Sequence, residues 1–327
     1  MEGRNGYLGL EPYGGFLMEK PMITVVGSLH MDFTVVTERL PYPGETVIGR
    51  TFKMSPGGKG ANQAVASSRL GAKVYMVGRV GKDYLGSLLV EGLRKNGVET
   101  AFVMEDPSSY TGVALITVDQ QGRNTIAVAP GADEALRKED VERAMPFIAK
   151  SSALLLQLEV PIEVVSYAAE EARKRGVKVF LNPAPFKPLP EGVYKNLFAL
   201  TPNEVEASAL TGLEAKDEES LGKIASKLLE LGTENVIVTL GSKGAFLANR
   251  KGSLLIPAYK VKPLDTTGAG DAFNAALAVA VAEGSSLEDA VRFANLVAAC
   301  KVTRLGAQEG LPRRSEVEEF KKKLAAL

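Results

Sequence analysis

Short apolar runs alternate with helix-like segments along most of the chain, and this alternation is the feature that most constrains its fold. Strand-like runs occur at 23–26 ("ITVV"), 73–81 ("KVYMVGRVG") and 235–240 ("NVIVTL"), with helical patterns at 84–96 and 138–149 between them. Strands joined by helices of about 10–15 residues form right-handed crossovers and a mostly parallel sheet covered on both faces. The sequence therefore predicts a three-layer α/β/α fold.

Two regions early in the chain break this rhythm. Strand-like segments flank the loops "PYPGE" and "DQQGR", and one of these strands is expected at 46–52. We predict that strands from about 32–52 and 111–128 form a small antiparallel β-lid over the large sheet. Sheet and lid would belong to one α/β domain covering 22–327. Residues 1–21 lack a signal-peptide pattern, and we expect a disordered N-terminal extension there.

The charge balance and the scarcity of two residue types exclude several classes of function. Lys+Arg and Asp+Glu both number 39, which argues against partners such as nucleic acid or an anionic membrane. The longest apolar run, 275–282, is too short to span a bilayer. Cys300 and His30 are the only residues of their types, so an internal disulfide or a Cys/His zinc site is impossible. We expect a cytoplasmic protein that uses carboxylates, lysines, backbone amides or an oxygen-bound metal.

The segment "DTTGAGDAFNAALAVAVA" at 265–282 combines small residues, one acid and a long apolar helix. Gly268, Ala269 and Gly270 allow a ligand to approach the backbone amides, and the helix start favours negative charge there. Asp271 lies in the first turn, where a carboxylate is stabilised as the anion that a general base requires. An ordinary capped helix is the alternative. A dinucleotide fingerprint is excluded, because Phe273 stands where GxGxxG needs its last glycine.

A second glycine-rich turn, "SPGGKGANQAVA" at 55–66, also opens a helix. It is not a Walker A loop, since GxxxxGK[ST] is absent. Its glycines, Gly58 among them, would let the backbone meet a small polar ligand, with Lys59 and Asn62 donating hydrogen bonds to hydroxyl groups. The alternative is a tight turn with Lys59 in solvent.

Three strand ends carry further polar groups. Asp32 in "GSLHMD" would accept hydrogen bonds from two vicinal sugar hydroxyls, or it is a turn aspartate. Asn203 and Glu206 in "TPNEVEA" fit either a helix capping motif or an oxygen-rich edge for hydrated Mg²⁺. Thr239 and Gly241 in "TLGSKG" follow a strand, where a nucleotide could lie.

Taken together and in this order, "GGKGANQA", "NPAP", "TPNE", "TLGSKG" and "DTTGAGDAFN" resemble the motifs of the ribokinase-like carbohydrate kinases. The resemblance runs from about residue 23 to the C-terminus, and "GGKGANQA" and "TRLGAQ" are most similar to the members that phosphorylate ribose. It implies phosphoryl transfer from ATP to the 5-hydroxyl of D-ribose, with Mg²⁺ as cofactor and K⁺ as monovalent activator. It also implies a lid that closes over the sugar and forms a homodimer interface.

The resemblance also assigns residues by matching positions. Asp271 matches the catalytic base, beside an anion hole of the amides of Gly268, Ala269 and Gly270. The sugar-binding positions, besides Asp271, are His30, Asp32, Gly58, Lys59, Asn62 and Glu159. The ATP-binding positions are Asn203, Thr239, Gly241, Gly270 and Asn295, and Glu206 would hold Mg²⁺ through water. The monovalent-cation positions, several acting through backbone carbonyls, are Asp265, Thr267, Lys301, Arg304, Gly306 and Gly310.

Two positions depart from the family pattern. His30 replaces a common asparagine that grips sugar hydroxyls, so the acceptor is ribose, 2-deoxyribose, another pentose or a nucleoside. Gly310 replaces a residue that often offers a hydroxyl to the cation, which weakens the expectation of potassium dependence. From other classes, a sugar-binding protein that has lost the reaction and a dinucleotide-dependent oxidoreductase remain open alternatives.

Overall fold

The computed structural model describes residues 20–326 of the protein. The predicted N-terminal extension therefore lies almost wholly outside the described residues. The strands are β1 (Met22–Val26), β2 (His30–Val36), β3 (Thr51–Gly57), β4 (Lys73–Gly81), β5 (Val98–Asp106), β6 (Gly112–Val118), β7 (Asn124–Ala129), β8 (Ala153–Leu156), β9 (Lys178–Leu181), β10 (Ala199–Leu200), β11 (Asn235–Thr239), β12 (Ala245–Asn249) and β13 (Gly252–Ile256). The helices are α1 (Lys59–Arg69), α2 (Tyr84–Lys95), α3 (Lys138–Ile148), α4 (Ile162–Lys174), α5 (Glu191–Tyr194), α6 (Glu204–Thr211), α7 (Glu218–Glu230), α8 (Ala269–Ala282), α9 (Leu287–Val302) and α10 (Arg314–Ala325).

Nine strands form the large sheet, in the order β13-β12-β11-β10-β9-β8-β1-β4-β5. The seven strands from β11 to β5 run parallel, and β12 and β13 add an antiparallel edge. This confirms the mostly parallel sheet predicted from the alternation of strands and helices. The buried strands carry β-branched and leucine residues on both faces because helices cover both.

Helices pack on the two faces of this sheet and complete the three layers. On one face, α1, α2, α8, α9 and α10 share a hydrophobic core with β1 and β4. On the other face, α3, α4, α6 and α7 form a second core with β8, β9 and β11. Within residues 20–326 no helix is long and apolar enough to cross a membrane.

A separate four-stranded sheet, here called the lid, has the order β3-β2-β6-β7. Its two outer pairs are antiparallel hairpin partners, whereas the central strands β2 and β6 run parallel. A parallel pair needs a long connection, and here the chain between them passes through α1, β4, α2 and β5. The second lid strand runs at 51–57 and not at the expected 46–52. The register pairs Val36 with Thr51 and His30 with Gly57, which brings the glycine-rich turn to the end of the lid.

Candidate active site

The N-terminus of α8 lies where the sequence predicts reactive groups. Gly268 is left-handed (φ 75°) and caps the helix, which is buried from Asp271 to Val281. The helix is apolar on all sides because it packs against α1 and α9 as well as the sheet. The N-terminal, electropositive end of α8 lies beside Asp271, which is in the first turn. Of the three amides predicted to bind an anion, that of Ala269 already donates to Thr266 O at 3.1 Å.

Two amide side chains of α1 hold the Asp271 carboxylate. Asn62 Nδ2 donates to Asp271 Oδ2 at 2.9 Å, and Gln63 Nε2 donates to Oδ1 at 3.2 Å. Gln157 Nε2 in turn donates to Gln63 Oε1 at 2.6 Å, so the carboxylate is fixed through a second layer. One of the two N–H groups of Asn62 Nδ2 is used by Asp271, so the other can still donate to a sugar hydroxyl as predicted. Asn62 Oδ1 has no donor among the described residues and could accept from a hydroxyl.

Burial makes Asp271 a stronger base than its place at a helix start suggests. The carboxyl is 5% exposed, and burial raises its pKa although Lys59 and Asn62 oppose the shift. The helix start favours the anion, as the sequence predicts, and burial opposes it. Burial also lowers the pKa of Lys59, but Asp271, Glu159 and other carboxylates raise it by more, so Lys59 stays an ammonium. A basic carboxylate beside a fixed cation suits proton removal from a hydroxyl.

The glycine-rich turn packs on the end of β1. Gly58 has φ 88°, and a Cβ there would lie 2.7 Å from Ser28 O. A Cβ on Gly60 would lie 2.6 Å from Ser28 N. Glu159 Oε2 accepts hydrogen bonds from Ser28 Oγ (2.5 Å) and from Lys59 N (2.8 Å), which ties the turn to the end of β8. The backbone of Ser28–His30 fills the space where a Cβ of residue 58 would lie, so the turn requires glycine at this position, and the prediction that its backbone meets a ligand stays a prediction.

His30 forms a buried charge cluster with Asp32 and Asp133. Its Nδ1 lies 3.3 Å from Asp133 Oδ2, and its Nε2 lies 3.7 Å from Asp32 Oδ1. Asp133 Oδ1 also accepts Leu29 N at 2.7 Å. Burial lowers the pKa of His30, but the hydrogen bond to Asp133 and the neighbouring carboxylates raise it to about 9. Burial raises the pKa of both Asp32 and Asp133 to about 6.

Two cavities meet at the start of α8. The smaller, of about 250 Å³, is lined by Lys59, Asp271 and the start of α6 at Asn203 and Glu206. The larger, of about 420 Å³, has mainly apolar walls and includes further residues, namely Gly241, Gly244, Tyr259, Phe273, Asn295, Ala298 and Val302. Thr239, Thr266 and Gly270 line both cavities. The smaller cavity fits a small polar ligand and the larger cavity fits an elongated one. The two ligands would meet at the N-terminus of α8.

The two alternatives for Asn203 and Glu206 are compatible in the structure. Asn203 caps α6, with Oδ1 accepting Glu206 N at 2.8 Å, while Glu206 Oε2 accepts Asn203 N at 2.9 Å. The capping box therefore exists, and both residues still line the smaller cavity. Burial raises the pKa of Glu206. Asn295, predicted at the nucleotide, lines the larger cavity, and its Nδ2 donates to Ile256 O and Pro257 O at 3.1 and 3.2 Å.

The residues predicted to hold a monovalent cation come together beside α8. Asp265 Oδ1 accepts Thr267 N at 2.9 Å, and Oδ2 accepts Gly306 N at 2.8 Å. The Lys301 ammonium donates to Asp265 O (3.0 Å) and to Arg304 O (3.3 Å). Burial lowers the pKa of Lys301, and the Asp265 carboxylate opposes this. These residues do not fit K⁺ as predicted, because an ammonium already binds two of the carbonyls expected to hold it.

Comparison with known proteins places the chain in a family. Residues 20–314 match the model of the pfkB family carbohydrate kinases, and the protein belongs to that family. Ribokinase of Haemophilus influenzae is 41% identical over 298 residues, which cover 91% of this chain and 97% of that protein. Deoxyribokinase of Salmonella typhi is 37% identical, with 91% and 98% covered. The structure of Arabidopsis thaliana ribokinase complexed with ribose and ATP matches with a TM-score of 0.86, 35% identity and coverage of 93% and 99%.

Sequence reasoning missed Gln63, Gln157 and Asp133. Gln63 is adjacent to Asn62 in the buried part of α1, where most residues are small. Its long polar side chain in that buried stretch is the one signal that could have identified it. Asp133 lies in a short 3₁₀ helix (Gly131–Ala135) that returns from the lid, 104 positions from its partner Leu29. Nothing local in the sequence indicates that contact.

Proposed function

We propose that this protein transfers the γ-phosphoryl group of ATP to the 5-hydroxyl of D-ribose. The observation that carries the proposal is the buried Asp271 carboxylate at the N-terminus of α8, where a polar cavity and a larger apolar cavity meet. The relatives support the same substrates, since the Haemophilus protein is named a ribokinase and the Arabidopsis enzyme is complexed with ribose and ATP.

The proposed reaction uses charge and position without a covalent intermediate. Ribose in the smaller cavity would place its primary hydroxyl next to Asp271, which takes the proton as the oxygen attacks the γ-phosphorus. The bond from that phosphorus to the bridging oxygen breaks, and ADP leaves with the electron pair. The helix start and the Lys59 ammonium would stabilise the negative charge on the transferring group, which is the main demand of phosphoryl transfer.

ATP would lie in the larger cavity, with its base among apolar side chains and its phosphates directed toward Gly270. Within residues 20–326 no group of three or more His, Cys, Asp or Glu could hold a metal ion by itself. Mg²⁺ would therefore be bound chiefly by the phosphates, as this ion retains several waters. Glu206 fits the role of a water-mediated ligand, because its Oε2 serves the capping box and Oε1 remains.

The lid supports a proposal about assembly. Phe52, Met54 and Leu115 lie on one face of the lid and Ile126 and Val128 on the other, and all five are between 40% and 62% exposed. Exposed apolar side chains that cluster in this way often mark a site of protein–protein contact. We propose a homodimer formed through the lid, which would also close over the sugar. We further propose that sheet and lid make one catalytic domain from about residue 22 onward, acting in the cytoplasm where ATP is available.

His30 supports a second candidate function, phosphoryl transfer to an acceptor other than ribose. A protonated imidazole held by Asp133 offers the sugar a different donor from the asparagine expected there, and the Salmonella relative is named a deoxyribokinase. The alternative acceptor is therefore 2-deoxyribose, or a nucleoside.

The test is ADP formation by the purified protein with ATP and Mg²⁺, using ribose, 2-deoxyribose or adenosine, with a no-acceptor control. We expect the highest kcat/KM for ribose and little ADP without acceptor. A higher kcat/KM for 2-deoxyribose or adenosine would transfer the assignment to the alternative. Absence of acceptor-dependent ADP would contradict kinase activity altogether.

A further inference from the structure

Lys301 places a charged group in the protein interior, next to the loop that leads into α8. It lies in the last turn of α9 and its side chain is 0% exposed. An ammonium at such a place is costly unless acceptors surround it. Two backbone carbonyls, those of Asp265 and Arg304, accept its hydrogen bonds at 3.0 and 3.3 Å. The lysine therefore ends in a formed cation site.

This site has the chemistry of a potassium site. Potassium is bound by carbonyl oxygens that replace its water shell. An ammonium group has the same charge and a similar radius, and it binds the same oxygens through its N–H groups. The C-terminal end of α9 adds the negative end of a helix dipole, which favours a cation there. The same carbonyl oxygens can bind either K⁺ or the Lys301 ammonium, but not both at once.

Gly310 is a second, independent sign of the same arrangement. A Cβ at this position would lie 2.6 Å from Gly306 O and 3.1 Å from Lys301 Cε. A larger residue would collide with the lysine stem and with the carbonyl of Gly306, two residues after Arg304. The glycine at 310 therefore leaves the room that the Lys301 side chain needs. In this arrangement the Lys301 ammonium supplies the cation, and no hydroxyl at 310 is required.

Building on the proposed function, we propose that the Lys301 ammonium is a built-in monovalent cation of the phosphoryl-transfer site, and that the enzyme works without K⁺. The ammonium acts as a positioning group. It binds Asp265 O, while the Asp265 carboxylate accepts Thr267 N and Gly306 N, and Leu264 N and Asp265 N donate to Val302 O. This network fixes the loop that sets the amides at the start of α8.

The first experiment uses the unmodified protein. Turnover with saturating ATP and acceptor, and the Tm without ligands, are measured in KCl and in tetramethylammonium chloride at matched ionic strength. We expect the same turnover and the same Tm in both salts. Saturable activation by K⁺, or a Tm rise specific to K⁺, would overturn the proposal.

The second experiment changes the lysine in two ways. Lys301→Ala removes the charge and opens the site, so turnover without K⁺ falls about tenfold or more, equivalent to about 1.4 kcal/mol. K⁺ then restores turnover and raises the Tm, because the ion binds the vacated carbonyls. Lys301→Met removes the charge but fills the same space, so its turnover is equally low and K⁺ does not restore it. Lys322→Ala, an exposed lysine of α10, is the matched control and should behave like the unmodified protein.

The outcomes separate this proposal from the proposed function. Full activity of Lys301→Ala without K⁺, or equal rescue of the alanine and methionine variants, would contradict the built-in cation. If the alanine variant does not fold in either salt, the salt response of the unmodified protein decides. If no acceptor yields ADP in any salt, the proposed function fails, and the K⁺-specific Tm rise of Lys301→Ala, absent in the unmodified protein, still decides the cation site.

Discussion

His30 is the residue at which this site differs most from the expected pattern. Its imidazole is 5% exposed and lies between Asp133 and Asp32, so a positive charge is held beside the carboxylate expected to bind the sugar. An asparagine at this position would supply a neutral amide. The histidine connects the predicted sugar site to the 3₁₀ helix that carries Asp133, because its Nδ1 lies 3.3 Å from Asp133 Oδ2.

The protonation of His30 predicts a pH-dependent stability. Folding raises its pKa from 6.5 to about 9, so its contribution is complete below pH 6.5 and is lost as the pH rises to about 9. Asp32 and Asp133, with pKa values of about 6, titrate below most of this window. The shift corresponds to at most about 3–4 kcal/mol. We expect the free energy of unfolding, from urea titrations, to fall between pH 7 and 9.

The matched variant for this prediction is His30→Asn, which keeps a hydrogen-bonding side chain and removes the titration. Its free energy of unfolding should depend less on pH in the same range. Equal slopes for both proteins would show that His30 does not carry the proton.

At this scale the sequence predicted which residues surround the site but not how they bond to one another. Asp271, Asn62, Lys59 and Glu159 were all predicted to lie at the site and do lie close together. The hydrogen bonds from Asn62 to Asp271 and from Lys301 to Asp265 O were not predicted, because a side chain in a helix carries no local sign of the partner that tertiary packing brings to it. Asp133 was missed for the same reason.

Helix α8 is the element on which the catalytic proposal depends, and Gly270 is its most sensitive position. Gly270 lines both cavities, and a Cβ there would meet no atom within 4 Å. Gly270→Ala should therefore fold normally, with a Tm at least equal to that of the unmodified protein, because alanine is the better helix former. The added methyl occupies the space where the phosphoryl group would pass, so turnover should fall by about 100-fold, the scale of a 1 Å misplacement. Tm and initial rates test both parts.

Gly222→Ala in α7 is the matched control, since a Cβ there also meets no atom within 4 Å and the residue lines neither cavity. It should gain stability and keep full turnover. If Gly270→Ala were as active as this control, the transferring group could not pass along the start of α8.

The regular elements were mostly predictable, and the exceptions share a cause. Strands flanked by helices were recognised because they are buried on both faces and read as apolar runs. β5 and β13 were missed because each lies at a sheet edge, with exposed positions that interrupt the apolar pattern. The lid strand β3 was misplaced because "TVIGRTF" alternates like a strand, while pairing with β2 selects 51–57.

At the scale of the whole molecule, the exposed apolar side chains of the lid are the basis of the proposed homodimer. Ile126 and Leu115 lie on opposite faces of the lid by their register, and each is 57% exposed. The double variant Leu115→Asp/Ile126→Asp should lower the mass in light scattering from twice the 34.8 kDa chain to that of one chain, because charges are not tolerated in an apolar contact. Leu254→Asp, on the edge strand β13, is the control and should leave the mass unchanged.

The most direct measurement compares binding and turnover in Asp271→Asn. The asparagine keeps the size of the side chain and loses the basic oxygen, so calorimetric affinities for ribose and ATP should stay close to those of the unmodified protein. Turnover should fall at least about 100-fold, the lower range for loss of a general base. Asp289→Asn, an exposed acid in the first turn of α9, should retain full turnover. An Asp271→Asn enzyme that binds both ligands and turns over like this control would contradict the assignment of the base.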